Sequence, residues 1–380
     1  MHILVLSPVY PPYKGGMGSV AAQEVNLIRE AGHKVRVMTP RYKRKAATQE
    51  EWVTLLDPWY AWGNAAVLPW KPLREKISGA EVVHIHYPFF GTALPTALMT
   101  KYAKKHLVIS WHMRAQAEPR AWVRRALFAV HRWVEEPLVK YLADVICVST
   151  QEYGGLLNLP QEKIRVVPFG VDDRRFTPRR NTERRTACGI SGEACVFLFV
   201  GGMDRAHAFK GVPLLLHAYA KMEKTGATKL WLVGDGDLRD TYEQLAKELG
   251  IKERVTFWGG VSAEELPEMY QAADVHVLPS VSGAEAYGLV TCEASASGIP
   301  SIVSALPGVR ALVAHEQTGL HVEPGNIASL TSAMEYMAKH ADVRRKWGKA
   351  AQEKISKEAT LQEEQAALLR AYTEQGTLGE

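Results

Sequence analysis

Two doubly wound α/β domains with parallel sheets are the architecture this sequence predicts, and three observations carry that reading. Short apolar, β-branched runs alternate with longer helical patterns along the whole chain, the rhythm of parallel sheets covered by helices on both faces. The chain has 380 residues, more than one hydrophobic core ordinarily organises. A polar, arginine-rich stretch from about Gly170 to Gly192 separates the two strand series and reads as a hinge.

The elements follow in order. Ile3–Leu6 reads as the first strand, followed by a Gly-rich turn and a helix near Val20–Ala31 that Gly32 stops. Lys34–Thr39, Val82–His86, Leu107–Ser110, Asp144–Ser149 and Arg165–Pro168 read as the further strands of the first half. Trp52, Trp59, Trp62 and Trp70 fall in a stretch that reads as loop. Val196–Val200, Lys229–Val233, Arg254–Phe257, Val275–Leu278 and Ser301–Ser304 repeat the rhythm in the second half. The tail beyond about Asp342 is helical, with apolar positions at Leu361, Ala366, Leu369 and Tyr372. The domains expected are residues 1–175, residues 188–355, and a terminal helix over residues 356–380.

Composition excludes several classes. With 47% hydrophobic and 23% charged residues, the chain is neither disordered nor fibrous. No run approaches the length of a membrane-spanning helix, and the first residues read as a strand instead of a signal peptide. The four cysteines, Cys147, Cys188, Cys195 and Cys292, show no C-x-x-C pair, which suits a reducing cytoplasm. Residues 1–187 hold 28 Lys+Arg against 16 Asp+Glu, a net of +12, whereas residues 188–380 hold 18 against 25. That imbalance points to an anionic partner or to solvated arginines on helices.

Four constellations could carry chemistry. Gly15, Gly16 and Gly18 lie between the first strand and the first helix, where backbone N–H groups can approach an anion or simply make a tight turn. His84, His86 and His112 lie at strand ends, where open α/β sheets place ligands. Hydrogen bonds to substrate hydroxyls suit them better than zinc, since no Asp, Glu or Cys stands at metal spacing. Arg205 and Lys210 share one strand–helix loop and can face a diphosphate. Glu285 and Glu293 flank a probable helix start at Gly288, where the N–H groups of Tyr287, Gly288, Leu289 and Val290 can meet a phosphate. Carboxylates there can accept bonds from vicinal hydroxyls. Asp235-Gly-Asp237 resembles a metal-binding pair, but Asp237 reads as an N-cap for a helix opening at Leu238.

With these residues in view, the sequence resembles the retaining GT-B glycosyltransferases of family 4 (glycosyl transferases group 1). The likeness runs from the glycine loop to Thr318-Gly-Leu-His-Val-Glu-Pro324, and Glu285-x7-Glu293 is its most specific element. It implies two Rossmann-like domains facing an interdomain cleft, with a C-terminal helix crossing back to the N-terminal domain. It also implies a nucleotide-diphosphate sugar as donor and a hydroxyl acceptor: a glycan, lipid-linked or phosphorylated. By that resemblance, Gly16 approaches the diphosphate and Lys210 neutralises it, with Arg205 as second cation. Glu285 holds the sugar hydroxyls, Glu293 the ribose, and His112 lines the reaction centre. Tyr10, His84, His86 and Arg114 are candidates on the acceptor side. The family's usual Gly-Arg is replaced by Gly201-Gly202, a role that Arg205 is expected to take.

Departure of a nucleoside diphosphate needs positive charge, which these side chains supply without a metal or other cofactor. No carboxylate nucleophile is evident, which agrees with same-face attack, the acceptor's proton passing to the leaving phosphate. A GT-B sugar-nucleotide epimerase and a non-catalytic sugar-nucleotide-binding protein share the same frame. Nucleic acid is not an expected partner, because no recognition element is present. Residues 119–142 combine Trp122, Phe128 and Trp133 with Arg120, Arg124, Arg125 and Arg132, and Arg41–Lys45 is basic. That pattern suits either a helix packed on a sheet or peripheral contact with the inner face of an anionic membrane.

Overall fold

A computed structural model of the chain describes residues 1–13, 16–42, 50–62, 65–113, 129–190, 194–223 and 227–374. Arg114, Lys14, Gly15, residues 43–45 of the basic cluster and residues 119–128 lie outside the described residues, as does the Trp62 side chain. The chain divides into two compact units. One is Met1–Phe169 with Leu361–Glu380, and the other is Gly170–Thr360.

The first unit is built from β1 (His2–Leu6), β2 (Lys34–Pro40), β3 (Val53–Leu56), β4 (Tyr60–Trp62), β5 (Ala65–Val67), β6 (Val82–Tyr87), β7 (His106–Trp111), β8 (Val145–Val148) and β9 (Ile164–Val166). Seven of these form one sheet in the order β3-β2-β1-β6-β7-β8-β9, every pair parallel. Strands β4 and β5 make a separate antiparallel pair. The tryptophan-rich stretch expected as loop is therefore largely strand, and Trp70 opens the helix Trp70–Ser78.

The second unit holds β10 (Cys195–Val200), β11 (Thr228–Val233), β12 (Val255–Gly259), β13 (Val275–Leu278), β14 (Ser301–Ser304) and β15 (Gly319–Val322). They form a parallel sheet in the order β12-β11-β10-β13-β14-β15. Central strands β6 and β10 are buried at every position, which is why β10 reads as an unbroken apolar run, whereas in β6 the buried His84 and His86 alternate with apolar residues. In each sheet the strand order reverses beside one strand, β1 or β10. Such switch points leave a crevice at the carboxyl ends of the strands.

The unit boundaries differ from 175, 188 and 356, for a local reason. The Val171 N–H donates to the Ala359 carbonyl at 2.9 Å, and Val171 bridges to Thr360. Both chain crossings are thus tied together at the edge of the second unit. The arginine-rich stretch is no hinge. Arg180 and Arg185 both bind Asp274, at 2.6 and 2.9 Å, and Arg184 binds Glu268 at 2.6 Å. Arg185 is only 4% exposed and also donates to the Ala272 and Ala194 carbonyls. A long-range set of partners makes this stretch part of the second unit, with Arg185 in its core.

That reassignment changes the charge argument. Counted by unit, the first holds 23 Lys+Arg against 17 Asp+Glu, and the second 23 against 24. The excess of +12 falls to +6.

The last helix, Leu361–Thr373, joins the first unit's core, burying Ala367, Leu368, Ala371 and Tyr372 beside Val25, Ile28, Val108 and Val145. Burying Leu368 alone contributes roughly 2 kcal/mol. Tyr372 is buried as expected, whereas Ala367 and Leu368 are buried in place of their neighbours Ala366 and Leu369, and Glu364 is turned inward as well.

Candidate functional site

In the second unit the carboxyl ends of β10, β11 and β13 carry the sequence-predicted donor residues. A short 3-10 helix, Arg205–Lys210, follows β10 and ends at Gly211, whose φ is +77°. A Cβ there would stand 2.3 Å from the Pro279 carbonyl oxygen, so only glycine lets this loop approach the segment after β13. The Val281 N–H to Phe209 carbonyl bond of 2.8 Å closes the same contact. This crossing brings Lys210 to Glu285.

Lys210 Nζ lies 2.6 Å from Glu285 Oε2, and the two side chains are 12% and 10% exposed. The Ser280 hydroxyl donates to the same oxygen at 3.2 Å. Gly288, with φ +86°, precedes the helix Leu289–Ala296 and turns the chain into it. Glu293 lies on that helix and accepts from the Tyr270 hydroxyl at 2.7 Å. Burial pushes the Glu293 carboxyl up to about 7, against the opposing pull of Tyr270, Arg175 and Lys210. Tyr287 is buried, whereas Leu289 and Val290 in the first helical turn are half-buried. One cation, two carboxylates and a helix start therefore share one end of one sheet. Such a set can neutralise a diphosphate and accept bonds from hydroxyls.

One expectation needs correction. Asp237 is no N-cap: Leu238 occupies that position in front of Arg239–Glu248, with no side-chain capping bond. Asp237 instead accepts from the Arg205 backbone N–H at 3.1 Å and pairs with its guanidinium at 3.1 Å. The Arg205 side chain is 82% exposed. Exposed pairs of this kind contribute little and exchange readily. Gly202 has its own steric reason, since a Cβ there would stand 2.8 Å from the His207 ring.

In the first unit, the i, i+2 spacing puts His84 and His86 on one face of β6. His84 bonds the Tyr372 hydroxyl at 2.7 Å and the Ser110 hydroxyl at 2.8 Å. His86 Nδ1 lies 2.7 Å from His112 Nε2, and His112 stacks on Phe169. Burial lowers all three histidines, His84 and His112 to about 3, with neighbouring histidines adding to it for His84 and His86. They are neutral at physiological pH.

Tyr10, His84 and His86 are fully buried side chains. His112 is buried as well, at 6% exposure the least so of the three histidines. Gly16 opens the helix Gly16–Glu30, and a Cβ there would meet nothing within 4 Å. It is Gly18 that packs closely, with its Cβ position 3.1 Å from the Val9 carbonyl oxygen.

Sequence reasoning did not find Glu24, which stands 3.5 Å from His86 and 3.9 Å from His84. Its signal was a carboxylate on the same helical stripe as Val20, Ala21, Leu27 and Ile28. Ser280, Tyr270 and Arg175 were also missed, and nothing in their spacing marks them. Among the described residues, Glu24, His84 and His86 form the one group of three with metal-ligand atoms close together. Both His84 nitrogens are engaged by the Tyr372 and Ser110 hydroxyls, and the His84 and His86 rings stack at 4.7 Å with 30° between planes.

Residues 14–175 match the family model described as Glycosyltransferase Family 4, and residues 181–354 that described as Glycosyl transferases group 1. An uncharacterised glycosyltransferase of Methanocaldococcus jannaschii is 34% identical over 194 residues, 49% of this chain and 48% of that protein. A D-inositol 3-phosphate glycosyltransferase of Corynebacterium aurimucosum is 36% identical over 223 residues, 55% of this chain and 52% of that protein. The matches thus span about half the length of these curated relatives. The N-acetyl-alpha-D-glucosaminyl L-malate synthase of Bacillus anthracis is 24% identical over 90% of both chains. Among solved structures, a sucrose-phosphate synthase from Thermosynechococcus elongatus superposes with a TM-score of 0.77 at 21% identity, over 98% of both chains. Anabaena HepE, solved with UDP and glucose, gives 0.77 at 17% identity over 97% of this chain and 98% of that one. Each unit carries a domain of the glycosyltransferase type, and the fold is GT-B.

Proposed function

We propose that this GT-B chain is a retaining glycosyltransferase. It moves a hexose from a nucleotide-diphosphate sugar to a hydroxyl acceptor in cell-surface polysaccharide or glycolipid synthesis, and needs no metal. The observation that carries the reading is the Lys210–Glu285 pair beside Glu293, at the carboxyl ends of β10 and β13 in the domain that matches the group 1 model.

In this reading Lys210 exchanges its bond with Glu285 for the diphosphate and holds the negative charge that grows on it as the sugar–oxygen bond breaks. Arg205 leaves Asp237 to add a second positive charge. Gly16 lets backbone approach the donor, and the Tyr287–Val290 amides meet phosphate or sugar. Glu285 accepts from the sugar hydroxyls, and Glu293 from the ribose. His112 lines the reaction centre. The acceptor oxygen attacks from the leaving-group side, and its proton passes to the departing phosphate.

The relatives named for inositol phosphate and malate favour an anionic acceptor. A lipid-linked one is favoured by a different observation. Val130, Trp133, Val134, Leu138 and Tyr141 are all exposed on one segment of the first unit, Trp133 by 74%. No helix among the described residues is long and apolar enough to cross a membrane, so such contact would be peripheral. The test is a panel of UDP-, GDP-, ADP- and TDP-sugars with candidate acceptors, with the product's anomeric configuration read by proton NMR. A product of the same configuration as the donor supports the reading. Inversion, or release of an epimerised sugar nucleotide, refutes it.

A further inference from the structure

Glu24 and His86 present a buried polar pair that the donor chemistry leaves unused. Glu24 is 1% exposed, and neither of its carboxyl oxygens has a hydrogen-bond partner; His86 Nε2 has none either. These unpartnered atoms lie 3.5 Å apart. From His86 the chain continues outward, Nδ1 to His112 Nε2 at 2.7 Å. His112 Nδ1 has no side-chain partner among the described residues.

Two proton arrangements could join Glu24 to His86. One is a carboxylate facing an imidazolium, and the other a neutral carboxyl donating to a neutral imidazole. The groups around Glu24 are Glu364, Tyr372, Cys147, His84 and His86. None of them is a cation at neutral pH, and one is a second buried carboxyl. Full burial without a cation penalises the ionised pair heavily, and burial with Glu364 nearby indeed holds the Glu24 carboxyl well above its ordinary range. The neutral arrangement wins. The carboxyl then donates to His86 Nε2, which leaves the His86 proton on Nδ1. That proton is donated to His112 Nε2, which leaves the His112 proton on Nδ1.

We propose that Glu24 is a positioning residue that, through His86, fixes His112 with its proton on Nδ1, so that His112 offers substrate a hydrogen-bond donor and not a base. The consequence for catalysis rests on the proposed place of His112 at the reaction centre. With Nε2 already accepting and Nδ1 already protonated, His112 has no lone pair for the acceptor's proton. As the new carbon–oxygen bond forms and the sugar–phosphate oxygen bond breaks, that proton goes elsewhere than His112, in line with its proposed passage to the departing phosphate.

The tautomer can be read without turnover. The full chain, labelled with nitrogen-15 histidine, is examined by long-range proton–nitrogen correlation, and His86 and His112 are assigned by single substitution. The wild type should show both rings neutral and protonated on Nδ1, at pH about 6 and about 8. Glu24→Gln, whose amide can donate to the same nitrogen, should keep that pattern. Glu24→Leu should move His112 to the Nε2–H form that a free neutral imidazole favours. If Glu24→Leu does not fold, the wild-type and Glu24→Gln spectra decide alone. A wild-type His112 protonated on Nε2, loss of the pattern in Glu24→Gln, or its persistence in Glu24→Leu overturns the proposal. Failure to turn over any nucleotide sugar, with the tautomers as described, would instead remove the functional reading and leave the relay standing.

Discussion

Replacing Lys210 with Met tests the donor site through stability as well as activity. The pair it breaks is about nine-tenths buried on both sides, with a 2.6 Å contact. Breaking a buried ion pair costs about 3–5 kcal/mol, because the remaining charge stays desolvated. Here Glu285 keeps the Ser280 hydroxyl and a little solvent, so the expected loss is about 2–3 kcal/mol. Glu285→Gln strands Lys210 in the same way and should cost a similar amount. The double variant removes both charges of the pair and should lie within about 1 kcal/mol of wild type, a coupling energy of about 3 kcal/mol or more. Urea unfolding of the four proteins measures this cycle. Turnover should behave differently: each single variant falls by about 100-fold or more, and the double does not recover. A Lys210→Met protein within about 0.5 kcal/mol of wild type, or a double variant weaker than both singles, would refute the buried-pair argument.

Glu293 gives a pH signature. Its carboxyl binds a proton more tightly in the folded chain, at about 7, than its ordinary value of 4.5, so its contribution to stability falls as pH rises through that window. Glu293→Gln should gain about 2 kcal/mol on wild type between those limits, discounted for partial exposure, by denaturant titration at each pH. Donor affinity should weaken below about pH 7 in wild type, as the acceptor carboxylate is lost, and calorimetry should find no such break in Glu293→Gln. Chelator should leave turnover unchanged; strong inhibition reversed by manganese would restore Asp235 and Asp237 as metal ligands. Sedimentation with anionic vesicles should show salt-sensitive binding that drops about tenfold or more when Arg124 and Arg125 become Glu, and again in Trp133→Ser. Wild type remaining in the supernatant at low salt would point to a soluble acceptor.

What the sequence disclosed depended on how local each signal is. Strand β10 is buried on both faces, so it is a continuous apolar run visible in a few residues; β6 and β13 are short β-branched stretches that stay legible despite their histidines. Glu285 and Glu293 stand eight apart around a glycine that must adopt positive φ, a pattern short enough to see. Strand β15, by contrast, contains Gly319 and His321, which dilute its β character. The arginines of residues 174–185 looked solvated because Asp274 and Glu268 lie more than eighty residues away in sequence. Glu24 and His86 were invisible as a pair for the same reason, since only the packing of a helix on β6 joins them. Asp237 was misread because an aspartate before a helix ordinarily caps it, and a competing arginine decided otherwise.

Calorimetric titration of the chain with UDP, GDP, ADP and TDP in the presence of EDTA tests the donor site most directly. One nucleoside diphosphate should bind in the micromolar range without metal, about 8 kcal/mol of binding free energy, and the Lys210→Met/Glu285→Gln double variant should lose most of it while remaining folded. Binding that requires a divalent cation, or that is undiminished in the folded double variant, would contradict the account.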